Sequence, residues 1–214
     1  MKDKHTLFIT GIGTDVGKTI VSAILTEALQ ADYWKPIQAG ETDGKTDLDT
    51  VKYLVSNKKS TFHHSYYNLA TPVSPHLAAK IDGVVIKKSH LVYPKTENYL
   101  IIEGAGGLLV PINKKNVVAN VINKKNPVVL VSKNYLGSIN HTLLSIYYLK
   151  AMGYKKIGIL FNGEENKASE KIIKKMGKVK IIGRINQLKE LTKEEISLEA
   201  ENIKPKLLRF LGKV

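Results

Sequence analysis

Residues 7–19 read LFITGIGTDVGKT, a short apolar run followed by a glycine-bearing stretch that closes on Gly17-Lys18-Thr19. This order decides the fold. A buried strand that feeds a glycine loop and then opens a helix lets backbone N–H groups turn toward an anion, and the helix N-terminus adds the positive end of its dipole. Lys18 can then reach the terminal phosphates of a nucleotide, and the Thr19 hydroxyl can bind magnesium. The strict spacing GxxxxGK[ST] fails by one place, because Ile12 stands where the first glycine belongs and Gly11 precedes it. The loop is a variant. A plain glycine turn between strand and helix nevertheless gives no reason for Gly-Lys-Thr at its end.

Outward from this loop, apolar runs of strand length recur at 33–35, 99–103, 128–132, 157–161 and 179–182. Between most of them lie stretches with helical spacing. Residues 19–30 carry Ile20, Ala23, Ile24 and Ala28 on one face, residues 138–152 start at a serine suited to capping, and 47–56, 74–81 and 167–176 read as further helices. Residues 41–46 and 60–73 are turn-rich and read as irregular. Alternation of this kind predicts an α/β architecture, a doubly wound and mainly parallel sheet flanked by helices, of the P-loop NTPase type. With 214 residues and neither a repeat nor a linker, one domain over 1–214 is expected. In such open sheets ligands bind beyond the carboxyl ends of the strands, so residues just past strand ends become the candidates for chemistry.

Composition narrows the function. The chain has no cysteine, which excludes disulfides and thiolate metal sites and leaves oxygen or histidine ligands for any metal. Its formal charge of +14 invites a nucleic-acid partner, but the excess is lysine scattered in pairs such as Lys58-Lys59 and Lys174-Lys175, with arginine only at 184 and 209. Such a surface is solvated, and a small anionic substrate gains from its field. No nucleic-acid partner is expected. The opening MKDKH runs directly into the first strand without a signal-peptide core, and no stretch is long enough to span a bilayer. The cytoplasm, and no membrane partner, are the resulting expectations.

Two further segments supply charge at strand ends. In WKPIQAG, residues 34–40, Lys35 ends a buried strand and is pinned by Pro36, poorly placed for mere solubility. A fixed second cation near the phosphate loop can neutralise a transferring phosphoryl group and its acceptor. In LIIEGAGG, residues 100–107, an apolar strand ends in Glu103 and a glycine cluster. A carboxylate there is where a P-loop enzyme holds magnesium, with Thr19 and Asp47 as further oxygen ligands. The GAGG run reads as a turn whose free N–H groups cradle an anion.

Taken together, GIGTDVGKT, WKPIQAG, TDLD, PVSPH, EGAGGLLVP, LGSINH and LFNG occur in the order found in dethiobiotin synthetases, and over about residues 6–163 the chain resembles that family. The resemblance implies that ATP and Mg2+ are used to join carbon dioxide to 7,8-diaminononanoate. A carbamate oxygen would attack the γ-phosphate, and the neighbouring amine would then close the ureido ring and expel phosphate. Lys18 and Lys35 would be catalytic, with no covalent nucleophile. By the same resemblance, nucleotide contacts fall on Asp15, Val16, Gly17, Lys18, Thr19, Ile20, Asp47, Glu103, Gly104, Ala105, Gly106, Asn162 and Gly163, with Asn162 at the purine. The metal falls to Thr19, Asp47 and Glu103. Substrate contacts fall on Thr14, Lys35, Ala39, Gly106, Gly137, Ser138 and Asn140, the last three serving a partner subunit's substrate in a homodimer. Lys35→Ala is expected to lower turnover about a hundredfold while sparing the fold.

Some features stand apart from that picture. Ala39 replaces a hydroxyl residue common in the family, and Asn186 replaces a proline, which bears on base selectivity. Ser74-Pro75-His76 suits either a pocket wall or a proline-started helix with a serine cap. His141 has no companion acid or nucleophile nearby in sequence and reads as a packed helical histidine. Three rivals remain open: a deviant P-loop ATPase of the partitioning or membrane-switch type, another P-loop ligase forming an amide or carbamate, and a nucleic-acid binder. For the first of these, Leu207, Leu208, Phe210 and Leu211 among lysines in 203–214 resemble a short basic amphipathic membrane helix.

Overall fold

A computed structural model describes residues 6–42 and 44–213; the charged lead 1–5, Asp43 in the irregular stretch and Val214 in the basic tail lie outside the described residues. Strand β1 (Thr6–Gly11) runs into the glycine loop, and helix α1 (Lys18–Leu29) leaves it. In chain order there follow β2 (Asp32–Trp34), β3 (Ile37–Ala39), α2 (Asp47–Leu54), β4 (Phe62–His63), β5 (Tyr67–Leu69) and α3 (Pro75–Ile81). The second half supplies β6 (Leu100–Gly107), β7 (Val128–Lys133), α4 (Ser138–Ala151), β8 (Ile157–Asn162), α5 (Lys167–Gly177), β9 (Lys180–Ile185) and α6 (Lys193–Leu211).

Seven strands form one sheet in the order β4-β2-β6-β1-β7-β8-β9, and every pairing in it is parallel. Parallel neighbours need crossovers, so both faces of the sheet are covered and the central strands are apolar at consecutive positions. Phe8 and Ile9 on β1, Ile101 and Ile102 on β6, and Val129 and Leu130 on β7 are all fully buried. They divide between two apolar layers: Ile9, Ile101 and Leu130 meet α1, α2 and α6, while Phe8, Trp34 and Ile102 meet the segments around α3 and 108–122. Burying each such side chain contributes about 1.5–3 kcal/mol before the entropy of ordering is counted. The chain winds outward to both sides of β1, which places the crevice over the glycine loop at the carboxyl ends of the strands.

Four features differ from the sequence reading. The stretch 60–73 is not wholly irregular: β4 extends the large sheet, and β5 pairs with β3 in a separate two-stranded parallel sheet, Ile37 opposite Tyr67. Strands of two or three residues are too short to carry a periodic signal. The GAGG run is not a free turn, because β6 continues through it and Gly107 pairs with Gly11 past a register shift. Lys35 lies one residue beyond β2, at the kink that sends the chain into the small sheet. Finally, residues 203–211 belong to the 19-residue helix α6, whose Ile196, Ala200, Ile203, Leu207 and Phe210 are buried against the core. That helix packs on α1 and β9. Pro205 is tolerated on its exposed side. Among the described residues no helix is long and apolar enough to cross a membrane.

Candidate active site

The glycine loop is shaped by two close approaches. Gly17 caps α1 at φ 88°, and a Cβ there would collide with the amide of Asn162 at the end of β8. That amide donates to the Val16 carbonyl at 3.0 Å, tying the loop to the far half of the sheet. Lys18 is nearly buried, and its ammonium donates across the loop to the Gly13 carbonyl at 2.9 Å.

One turn of sheet away, three oxygen donors and one ammonium converge. Glu103 is fully buried where β6 passes β1. Asp47 stands at the first position of α2, and Thr46 starts that helix by accepting from the Asp49 N–H at 3.1 Å while Asp49 accepts from the Thr46 N–H at 3.0 Å. The Gln38 side chain accepts from the Asp47 N–H at 3.3 Å and so links the small sheet to the helix start. Thr19 Oγ1 lies 2.9 Å from Asp47 Oδ1 and 3.0 Å from Glu103 Oε1; its single proton serves one of them at a time. Lys35 Nζ donates to Glu103 Oε1 at 3.0 Å and forms an ion pair with Asp47. On the other side of Glu103, the buried Tyr33 hydroxyl donates to Oε2 at 2.9 Å.

Charge states follow from these contacts. Burial works against the Lys35 ammonium, but the Glu103 and Asp47 carboxylates outweigh it and raise its pKa overall. Burial pushes Asp47 up, and the neighbouring Lys35 more than reverses this, so the carboxyl is held below its usual range. Lys18 is lowered, chiefly by burial, with Glu103 opposing and Lys35 reinforcing. The Tyr33 phenol is pushed well above its ordinary value by burial and by the charges of Glu103 and Asp47, so it remains a neutral donor.

The donors suit a hard divalent cation: Thr19, Asp47 and Glu103 offer oxygen alone, and already lie within hydrogen-bond reach of one another or of one shared ammonium. Among the described residues no group of three acidic, histidine or cysteine side chains forms a metal cage. Two carboxylates and a hydroxyl instead leave room for water and phosphate oxygens, the usual arrangement for magnesium at a nucleotide.

A cavity of ≈ 640 Å³ opens over these groups. Of the residues singled out from sequence, Thr14, Asp15, Gly17, Lys18, Thr19, Lys35, Ala39, Asp47, Glu103, Ala105 and Gly106 line it, as do Gln38, Ser74 and Pro75. Lys18, Lys35 and Glu103 therefore face one space. Gly40, at φ 71°, packs against Pro72 and draws the 72–75 segment over the opening. Other expected residues lie elsewhere. Val16 is buried beneath the loop, Ile20 packs on the core, and Gly104 is pressed between Phe8 and Val118. Gly163 follows Asn162, with its carbonyl held by Arg184 at 2.8 Å. Gly137, Ser138 and Asn140 sit at the start of α4, outside this cavity.

One side-chain expectation is corrected. His141 is exposed rather than packed, with Nδ1 2.7 Å from the Tyr135 hydroxyl, because it falls on the outer face of α4. Both readings of 74–76 hold: Pro75 starts α3 with Ser74 at the N-cap position and both line the cavity, although the Ser74 hydroxyl bonds no helix N–H and lies 3.1 Å from His76 Nδ1. Tyr33 and Gln38 are the functional neighbours that sequence reasoning passed over. Gln38 lay inside the quoted lysine motif, and Tyr33 showed as an apolar strand position.

Comparison with known proteins fits this geometry. A family model described as an AAA domain matches residues 5–195. The ATP-dependent dethiobiotin synthetase BioD of Christiangramia forsetii is 58% identical over 180 residues, 84% of this chain and 86% of that protein. The enzyme of the same name from Cytophaga hutchinsonii is 49% identical over 90% of this chain and 94% of its own length. The chain belongs to the dethiobiotin synthetase family. Among solved structures, the MinD cell division protein of Aquifex aeolicus superposes with a TM-score of 0.56 at 15% identity, covering 98% of both chains. A plasmid partition protein from Borrelia burgdorferi reaches 0.57 at 15% identity, covering 96% of this chain and 98% of its own. At that identity the likeness is one of fold alone.

Proposed function

We propose that this chain catalyses the ATP-dependent closure of 7,8-diaminononanoate and carbon dioxide to dethiobiotin, a step of biotin synthesis, as a cytoplasmic homodimer of one-domain subunits. The observation that carries the reading is the convergence of Lys18, Lys35, Thr19, Asp47 and Glu103 on one cavity above the glycine loop. One substrate amine adds to carbon dioxide to form a carbamate. Its oxygen attacks the γ-phosphorus of ATP, ADP departs, and the second amine attacks the carbamoyl carbon and releases phosphate. Lys35, kept protonated by its two carboxylates, binds the carbamate oxygen and the charge that builds on the moving phosphoryl group. Lys18 holds the phosphates, and the loop amides from Asp15 to Ile20 surround them. Thr19, Asp47 and Glu103 would hold Mg2+, which when bound would supply positive charge to offset that of the phosphates. Thr14, Ala39 and Gly106 line the diamine side, and Asn162 with Gly163 meets the base. Gly137, Ser138 and Asn140 of a second subunit complete the substrate site. Small molecules are the partners, with neither nucleic acid nor membrane.

The test is direct. Purified protein mixed with 7,8-diaminononanoate, bicarbonate and MgATP should yield dethiobiotin and phosphate by mass spectrometry. Phosphate release without ring product, or no reaction at all, sinks the assignment.

A further inference from the structure

Tyr33 is fully buried on β2, yet its hydroxyl is spent on a carboxylate of the cavity rather than on the core. The register explains how. β2 pairs with β6 so that Tyr33 lies opposite Ile101, and Glu103 is two residues farther along β6 on the same face. Two residues of strand span about 6.6 Å, close to the reach of a tyrosine from backbone to hydroxyl. The phenol leans along the sheet and meets Glu103 Oε2 at 2.9 Å. The other oxygen, Oε1, faces Thr19 and Lys35, each at 3.0 Å.

We propose that Tyr33 is a positioning residue for Glu103: its hydroxyl commits one carboxylate oxygen to the interior and so fixes the other toward the cation and nucleotide. The proposal rests on the reading of Glu103 as a magnesium ligand. A carboxylate's terminal torsion is broad, so without a partner on Oε2 the group can rotate and present either oxygen. Removing such an outer partner of a metal ligand typically weakens metal binding about 10–100-fold.

The test measures Mn2+ affinity by electron paramagnetic resonance, with a non-hydrolysable ATP analogue bound to the full chain. Tyr33→Phe keeps the ring and removes the hydroxyl, and Glu103→Gln removes the ligand charge. Tyr154→Phe removes a different buried hydroxyl, one bonded to the Ala119 carbonyl at 2.9 Å on the opposite face. About a tenfold or larger rise in the Mn2+ dissociation constant is expected for Tyr33→Phe, a larger one for Glu103→Gln and none for Tyr154→Phe. Steady-state turnover should show Tyr33→Phe needing more Mg2+ for half-maximal rate, with the KM for diaminononanoate unchanged. If Tyr33→Phe binds Mn2+ as the parent does while Glu103→Gln does not, the positioning role is wrong and the metal reading survives. Parent-like binding by Glu103→Gln overturns both. An equal loss in Tyr154→Phe marks a general loosening and also overturns the proposal. Circular dichroism melts accompany each variant, and should Tyr33→Phe not fold, Tyr33→Leu, which has neither a hydroxyl nor an N–H donor, is held to the same outcomes.

Discussion

Lys35→Ala removes the ammonium that Asp47 and Glu103 share, and the damage should reach stability as well as rate. At 3.0 Å, the attraction between Lys35 and Glu103 is about 5–6 kcal/mol at an effective dielectric near 20. Much of this offsets the cost of burial, and breaking one side of a buried pair typically destabilises by about 3–5 kcal/mol. Lys35 is 5% exposed and Glu103 0%, so water entering from the cavity replaces the missing cation only in part. In a chain of this length each kcal/mol shifts the melting temperature by about 2–4 °C, giving a fall of about 6–20 °C in metal-free buffer. The sequence alone suggested that the fold would be spared; the two ion pairs argue against that. A divalent cation with a non-hydrolysable ATP analogue, at a hundred times the dissociation constant, restores about 2.7 kcal/mol by linkage. The variant should therefore regain more of its melting temperature on adding the pair than on adding salt, while turnover stays about a hundredfold down. Differential scanning calorimetry with and without Mg2+ checks the first part and dethiobiotin formation the second. A variant that melts with the parent in EDTA, or turns over at near-normal rate, refutes the reasoning.

Gly17→Ala imposes a side chain on a left-handed residue facing Asn162, and titration calorimetry should show ATP-analogue affinity reduced about tenfold or more; parent-like binding means the loop has another resting shape. Asp32 accepts from Thr61 at 2.9 Å and from Asn98 at 3.2 Å; burial opposes its ionisation, but hydrogen bonds from Thr96, Thr61, His63 and Asn98 prevail and lower its pKa. Its contribution to stability is present above the ordinary carboxylate pKa and lost as pH falls through the lower folded value. Asp32→Asn should thus cost about 1–3 kcal/mol at pH 7 in urea titrations, with the gap closing toward pH 3; a gap independent of pH rules this out. Leu136, 103% exposed beside α4, should lie in the dimer contact, so Leu136→Glu should sediment as a monomer. A variant dimerising as tightly as the parent moves the contact elsewhere.

What the sequence discloses here is what is local. Gly17-Lys18-Thr19 falls where the pattern puts it, past the end of β1 at the start of α1, whereas Glu103 stands inside β6, four residues before that strand ends. α6 was legible in part: Thr192 and Glu195 stand at capping spacing, and Ile196, Ala200, Ile203, Leu207 and Phe210 recur at four, three, four and three. Pro205 and the surrounding lysines masked that rhythm. The bond from Tyr33 to Glu103 joins residues 70 apart in sequence, and depends on how β2 registers against β6. No reading of either strand alone supplies that register. The same limit hides the small sheet, where β3 and β5 stabilise each other across an intervening helix and strand.

The packing of α6 on α1 joins helices far apart in the order of synthesis. During synthesis the glycine loop emerges early, but the helix that fixes its trailing end has its outer apolar cover only when residues 193–211 have left the ribosome. Until then, α1 lacks the cover that α6 supplies. A nascent chain of this kind should acquire its affinity for ATP late and at once, rather than by degrees.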